Sequence, residues 1–302
     1  MSEPLQHYPL TSTLVPAADG GVLVSIFADV TDVEGSERVV LRHLDAAGRS
    51  SWSHEVVADA LGRPIGGHLT RAGDSLVLAV PFERFGGGLE THVTRLDEAG
   101  HVLHERVVEA NLRAIAGAPD GGVFAHGGNQ LLGYDADDML RWSVPAPAQG
   151  TPALAVDGEG RPLLALRDPG DARHLTAFTA DGRPRWDAPL ELDPWALAVG
   201  PDGTLAVTGR ADAEPTELPT NRDLGLAALD AAGQPRWLER VDGPAHDEDA
   251  GGAVVFTADG ALSDTRDVAI AIESGEIGIG RCDRCRESEA GGGCVGGGGA
   301  CL

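Results

Sequence analysis

There is no lysine anywhere in the 302 residues, and the 23 basic side chains, all arginine, face 47 acidic ones. The formal charge of −24 argues against DNA, RNA or an anionic membrane surface as partner, since each would be repelled. Cations and basic proteins remain admissible. Aromatic residues are scarce, at 4%, so Val, Leu and Ala must fill most of any core. No run approaches the ~20 apolar residues that a membrane-spanning helix needs, so no membrane insertion is expected. The opening Met1-Ser2-Glu3-Pro4-Leu5 lacks a basic segment followed by an apolar one. No signal peptide is visible, and a cytoplasmic location is expected. Gly-x-Ser-x-Gly, phosphate-loop and His-Glu-x-x-His patterns are all missing. An enzyme built on this chain would have to gather its groups from scattered positions.

What the chain does have is a repeated phrase. Leu44-Asp45-Ala46-Ala47-Gly48 leads to Trp52, and Leu96-Asp97-Glu98-Ala99-Gly100 leads to His104. Tyr134-Asp135-Ala136-Asp137-Asp138 leads to Trp142, Phe178-Thr179-Ala180-Asp181-Gly182 to Trp186, and Leu229-Asp230-Ala231-Ala232-Gly233 to Trp237. The anchors are 52, 38, 44 and 51 residues apart. A period of about 40–50 residues with several short strands per unit is the signature of a β-propeller. A second phrase alternates with the first: Asp19-Gly20, Asp120-Gly121, Asp202-Gly203 and Asp259-Gly260 each precede an apolar run. Asp-Gly between such runs predicts a two-residue type I′ hairpin. Two hairpins make one four-stranded antiparallel blade.

In the fifth unit the expected strands are Ala196–Val199, Thr204–Thr208, Leu224–Leu229 and Pro235–Val241, with a long loop over Arg210–Asp223. In the fourth they are Ala153–Val156, Pro162–Leu166, Leu175–Phe178 and Arg183–Leu190. A sixth unit is read from Ala253–Phe256, Asp267–Ile272 and Ile277–Ile279, without its Trp. The expectation is an all-β chain with six four-stranded blades over residues 8–281, an N-terminal segment 1–7 and a Gly/Cys-rich tail, 282–302. The four anchoring tryptophans should be mostly buried at equivalent places.

The Asp-x-x-Gly-x-x-x-Trp phrase resembles the tryptophan-docking repeat of the PQQ-like propellers. The stretch from Asp223 through Asp230-Ala231-Ala232-Gly233-Gln234-Pro235-Arg236-Trp237 to Val255 is similar to the bacterial SBBP-type repeat. The resemblance covers roughly residues 8–281 and implies architecture, with no catalytic residue. It also implies export as the alternative location, because many such propellers leave the cytoplasm. Cofactor binding in PQQ-dependent dehydrogenases involves adjacent cysteines, which this chain lacks, so no quinone cofactor is expected.

All four cysteines fall in the tail: Cys282, Cys285, Cys294 and Cys301. Cys282-Asp283-Arg284-Cys285 has the spacing of half a thiolate metal site, zinc being the natural ion. Cys294 and Cys301 do not complete a standard knuckle, and two disulfides serve equally well. A modified peptide tail or an idle one are further readings. His104, standing where the other units have Trp, is either a ligand or metal histidine or a drifted packing residue. Asp135–Asp138 and Asp247-Glu248-Asp249 read as turns before calcium sites. Three functions remain: a monomeric binding or scaffolding propeller that presents rim loops to a protein or small molecule; a carrier whose Cys/Gly tail does the work; and an enzyme with its site in a central channel.

Overall fold

The computed structural model describes residues 12–28, 37–57, 62–212, 222–241, 254–256, 262–264, 268–273 and 276–281. All regular structure among them is β-strand. The chain divides into two units, residues 1–194 and 195–302. In the first unit, β1 (Ser12–Pro16), β2 (Val22–Ala28), β3 (Arg38–Leu44) and β4 (Ser50–Val57) form one antiparallel sheet in chain order. The second sheet has β5 (Gly62–Pro64), β6 (His68–Ala72), β7 (Ser75–Arg84), β8 (Leu89–Leu96) and β9 (Val102–Val108). The third runs β10 (Leu112–Gly117), β11 (Val123–Gly127), β12 (Gln130–Tyr134), β13 (Leu140–Pro145). The fourth runs β14 (Gln149–Val156), β15 (Pro162–Arg167), β16 (Arg173–Phe178), β17 (Pro184–Pro189).

A fifth sheet follows, with β18 (Leu192–Val199), β19 (Leu205–Asp212), β20 (Arg222–Leu229) and β21 (Pro235–Val241). The sixth group consists of two hairpins, β22 (Val254–Phe256) with β23 (Leu262–Asp264), and β24 (Val268–Glu273) with β25 (Glu276–Arg281). The expected strands of the fourth and fifth units are therefore present, most of them longer than expected, while Pro184–Pro189 is a residue shorter at each end and Pro235–Val241 has the expected bounds. The loop expected over Arg210–Asp223 is shorter than the sequence implied. Ala211 pairs Asp223 and Asp212 pairs Arg222, so the ladder takes in three residues of the expected loop on one side and two on the other. Polar residues continue the ladder because pairing, not hydrophobicity, satisfies their backbone groups.

The second sheet departs from four strands in one respect. The ten-residue β7 pairs along one edge with β6, through Leu69↔Leu78, and then with β5, through Arg63↔Glu83. Thus β5 and β6 are two halves of one edge, interrupted at Ile65–Gly67. The Ile65 N–H still donates to Pro81 O at 2.9 Å.

Burial follows from stacking sheet on sheet. Leu76, Leu78, Val80 and Phe82 of β7 pack with Leu23, Val39 and Leu41 of the first sheet. The alternate residues Val77 and Ala79 pack with Leu112, Val123 and Ala125 of the third. Successive side chains of a strand point to opposite faces, so a strand covered on both sides reads as an unbroken apolar run. The last strand of each sheet is covered on one side only, and β4 and β13 alternate between exposed and half-buried residues. In the second unit, Ala206, Leu226 and Trp237 pack with Val254 and Phe256.

The two repeated phrases turn out to be one turn. Gly20 N donates to Ala17 O, and Gly48 N to Asp45 O. Only the glycine has positive φ, at 81° and 75°. A type I′ turn needs positive φ at both central residues, so these are three-residue loops ending in a left-handed glycine. Asp is used differently in each phrase. Asp19 Oδ1 accepts the Gly21 N–H, whereas Asp45 Oδ1 accepts both the Ala47 and Arg49 N–H groups. These backbone donors hold the Asp19 and Asp45 carboxyls below their usual range.

Two of the anchoring tryptophans dock on the turn of the following sheet. Trp52 Nε1 donates to Glu98 O at 3.2 Å, and Trp142 Nε1 to Ala180 O at 2.8 Å. A Cβ placed on Gly100 or on Gly182 would lie 2.6 Å from the docked ring. Gly is thus required there twice, for its φ and for the space above it. All four anchoring tryptophans are mostly buried, as expected, without being fully enclosed. The expected cost of Trp142→Ala is therefore about 2–3 kcal/mol, at or below the low end for enclosed aromatics. In urea melts Gly48→Ala, which meets nothing within 4 Å, should lose only the ~1 kcal/mol of left-handed strain. Gly182→Ala should lose that and the ring contact, and equal losses would contradict the docking.

Candidate functional site

The two faces of the second sheet carry different polar sets. On β8 and β9, Val93, Arg95, His104 and Arg106 meet the third sheet. The alternate residues His92, Thr94, Glu105 and Val107 therefore point the other way, toward the first sheet. There they line a cleft of about 410 Å³ opposite His54 and Val56 of β4, with Glu55 and Val57 at its margin. The His92 ring stacks on Phe82, with centroids 4.1 Å apart, and its Nε2 lies 2.8 Å from Glu90 Oε1. Arg84 pairs with the same carboxylate, and together the two hold it below the usual range, Arg84 contributing most. Glu55 has a long 3.7 Å pair with Arg38. His54, Thr94 and Glu105 have no hydrogen bond or ion pair among the described residues. Thr94 is nevertheless 4% exposed.

On the other face the repeat has been rewritten. Asp138 stands where the other repeated turns have Thr-x-x-Gly or Asp-x-x-Gly, and it keeps the left-handed φ of 59°. Asp tolerates that region better than most residues. His104, in the anchor position of the preceding sheet, lies 3.3 Å from Asp138 Oδ2 through Nδ1. The buried Arg95 forks onto the carboxylate, Nε to Oδ2 at 3.1 Å and Nη2 to Oδ1 at 2.6 Å. Its Nη1 reaches Ser75 Oγ. Arg106 donates to the Asp138 carbonyl, and its guanidinium sits 4.0 Å over the Tyr134 ring. His104 is accordingly neither a packing residue nor part of a metal cluster. It replaces a ring-on-glycine contact by a ring-on-carboxylate one. Among the described residues no group of three or more His, Cys, Asp or Glu is arranged to hold a metal ion.

The remaining sequence candidates are placed as follows. Asp135 caps its own turn, accepting from Asp137 and Met139 N–H, as expected. Cys282, Cys285, Cys294 and Cys301, the N-terminal segment 1–7 and Asp247-Glu248-Asp249 lie outside the described residues. The cleft was not foreseen, because its walls come from β4 and from β8–β9, some 40 residues apart in a chain with no motif at either place. The His104–Asp138 pair did leave a trace: both departures from the repeat belong to one dock.

His68 on β6 is a half-buried imidazole that desolvation pushes down to about 4. The unfolded chain then binds a proton below pH 6.5 that the folded chain refuses until about pH 4. Stability is complete above pH 6.5 and falls as the pH is lowered through this window, by up to about 3 kcal/mol. His68→Gln should flatten the pH 4–6.5 slope of urea stability and leave the steeper acid loss from Asp19, Asp45 and Asp97, whose carboxyls are held low. An unchanged slope would contradict the burial. For the dock, Asp138→Asn leaves the Arg95 charge buried without its counterion and should cost about 3–5 kcal/mol. His104→Ala breaks a half-exposed pair and should cost about 1 kcal/mol or less. Calorimetry showing the reverse order would refute this division of roles.

No protein-family model matches the chain, and no curated protein matches it. Solved structures do. Virginiamycin B lyase from Staphylococcus aureus, crystallised with quinupristin, aligns with a TM-score of 0.62 and 13% identity over 91% of this chain and 85% of that one. The WD40 domain of Pan2 from Neurospora crassa aligns at 0.56 and 10% identity over 89% and 74%. BBS1N in complex with ARL6DN aligns at 0.55 and 14% identity over 93% and 81%. With the strand order above, these likenesses establish the class: the chain has the β-propeller fold.

Proposed function

We propose that this protein is a binding propeller that holds a polypeptide partner in the cleft between its first and second sheets. The observation that carries the reading is the cleft itself. Its ~410 Å³ lies within the usual size of ligand sites. One of its wall residues, Val107 of β9, is 53% exposed. An apolar wall left open to water lowers free energy when a partner covers it. More open apolar surface lies at the same end of the sheets. Phe85, 64% exposed, and Leu89, 44% exposed, form the β7–β8 tip. Arg63 ties that tip to the first sheet, pairing with Glu83 at its base and with Glu37 beside β3. The partner surface is thus one sheet-edge cleft with an adjoining hairpin tip, which refines the rim-loop expectation.

The docking repeats support kinship with PQQ-like and SBBP-type propellers at the level of architecture. BBS1N is a neighbour of like fold in a complex with a protein, and virginiamycin B lyase is one with a small ligand. Neither relationship transfers an activity. A displayed random-peptide library, selected on the full chain, tests the reading. Selected peptides should lose at least about tenfold in affinity, or ~1.4 kcal/mol, for Val107→Asp. The side chain is exposed, so the fold should survive. Peptides indifferent to Val107→Asp, or no enrichment at all, would overturn the proposal.

A further inference from the structure

We propose that Ser51 is an activated nucleophile that accepts an acyl group from activated esters, with His43 as its general base and Asp19 as the positioning residue. The proposal is independent of the cleft, whose walls do not include Ser51. The three side chains come from three elements of the first sheet: Asp19 from the β1–β2 turn, His43 from β3 and Ser51 from β4. Asp19 Oδ1 lies 3.2 Å from His43 Nε2, and His43 Nδ1 is hydrogen-bonded to Ser51 Oγ. An ionised carboxylate can only accept, so Nε2 carries the ring hydrogen. Nδ1 is then the unprotonated nitrogen of the neutral ring, and the Ser51 hydroxyl donates to it. Asp19 stays ionised because the Gly21 N–H, and after it His43, holds its carboxyl low. A nucleophile within hydrogen-bond reach of a base that a third group orients is the arrangement nucleophilic catalysis requires.

The other sheets separate what is special in this cluster from what is repeated. Asp19 belongs to the repeat, since Asp120 and Asp202 also accept the N–H two residues on. His43 and Ser51 do not. The residue paired with the anchoring Trp is Gly133, Ala177 and Ala228 in the third, fourth and fifth sheets. The residue before that Trp is Arg141, Arg185 and Arg236. In the first sheet both positions have changed, one to a base and the other to a hydroxyl that meets it. Packing requires neither, because the other sheets stack without them. His43 is 7% exposed and stacks on Trp52, with centroids 5.7 Å apart and planes at 14°, which fixes the ring. A bulge opposite His43 and Leu44 takes Ser51 out of the register, so it escapes the alternation that would send it to the other face. Ser51 itself is exposed. An electrophile can reach the hydroxyl while the base behind it is shielded from water.

In the step, Ser51 Oγ forms a bond to the acyl carbon, its proton passes to His43 Nδ1, and the bond from that carbon to the leaving oxygen breaks. The leaving group departs as the anion, and the imidazolium is stabilised by Asp19. The other charges around the ring are Asp45, on which His43 acts and which pairs with Arg49, and from the second sheet Arg71 and Glu98, paired beside the Pro16 carbonyl. The test incubates the full chain with p-nitrophenyl acetate and, separately, with a fluorophosphonate, from which fluoride leaves, and locates the label by peptide mass. An acetyl or phosphonyl group should appear on Ser51 and be lost in Ser51→Ala. Ser53→Ala, exposed on the same strand, should leave labelling unchanged. His43→Gln should slow it at least about a hundredfold, the low end for general-base catalysis. Asp19→Asn should slow it about fivefold, the upper range for an exposed ion pair. The wild-type rate should rise with pH and level off once the imidazole is neutral, whereas an unassisted hydroxyl keeps rising about tenfold per pH unit. A folded chain left unlabelled at Ser51, or labelling that His43→Gln does not slow, would overturn the proposal. Should His43→Gln fail to fold, the wild-type profile decides, and a rate that never levels off or never changes overturns it.

Discussion

The left-handed residue at the end of each repeated turn is the constraint on which the first unit depends. It reverses the chain between the third and fourth strands, and in two sheets it also receives the ring of the preceding sheet. Both duties need the same thing, a backbone at positive φ with nothing above it. Gly100 and Gly182 supply this, and Trp52 and Trp142 occupy the space. Each dock thereby joins one sheet's exposed outer strand to the next sheet's turn. The stacked cores of Leu, Val and Ala supply the bulk of the burial. The docks supply direction, since a ring and an indole N–H fit only one register.

The dock between the second and third sheets obeys the same geometry with different chemistry. Asp138 retains the left-handed backbone, and its carboxylate fills the space that a ring occupies elsewhere. A buried carboxylate is costly alone, so Arg95 and His104 accompany it. Arg95 is the stronger partner because it is itself buried and meets both oxygens. This arrangement affects the neighbouring face. With Arg95 and Arg106 drawn to the third sheet, the other side of β8 and β9 keeps Thr94 and Glu105 without positive neighbours. The acidic character of the cleft is thus a consequence of how the adjacent dock is built.

Architecture was legible in the sequence because a period is a local property repeated. The spacing of Trp52, Trp142, Trp186 and Trp237 and the turns before them identified strands, hairpins and blades without any contact being known. The errors were also local. Asp-Gly is compatible with more than one hairpin loop, and only φ at Asp19 tells the two apart. The hairpin beyond Arg210 was underestimated because polar residues hide a ladder that backbone pairing sustains.

The sequence by itself determined the repeat, the strand order and the sign of the surface charge, all of which are written in consecutive residues. Tertiary structure decided the rest. It showed that His104 and Asp138 are two ends of one substitution, and that Val56 and Val107 stand at one cleft. It also turned Arg106 away from Glu105, its neighbour in the chain. The physical reason is that a strand sends adjacent side chains to opposite faces. What each face meets is set by sheets from other parts of the chain, and neither charge nor pocket can be read until those sheets are stacked.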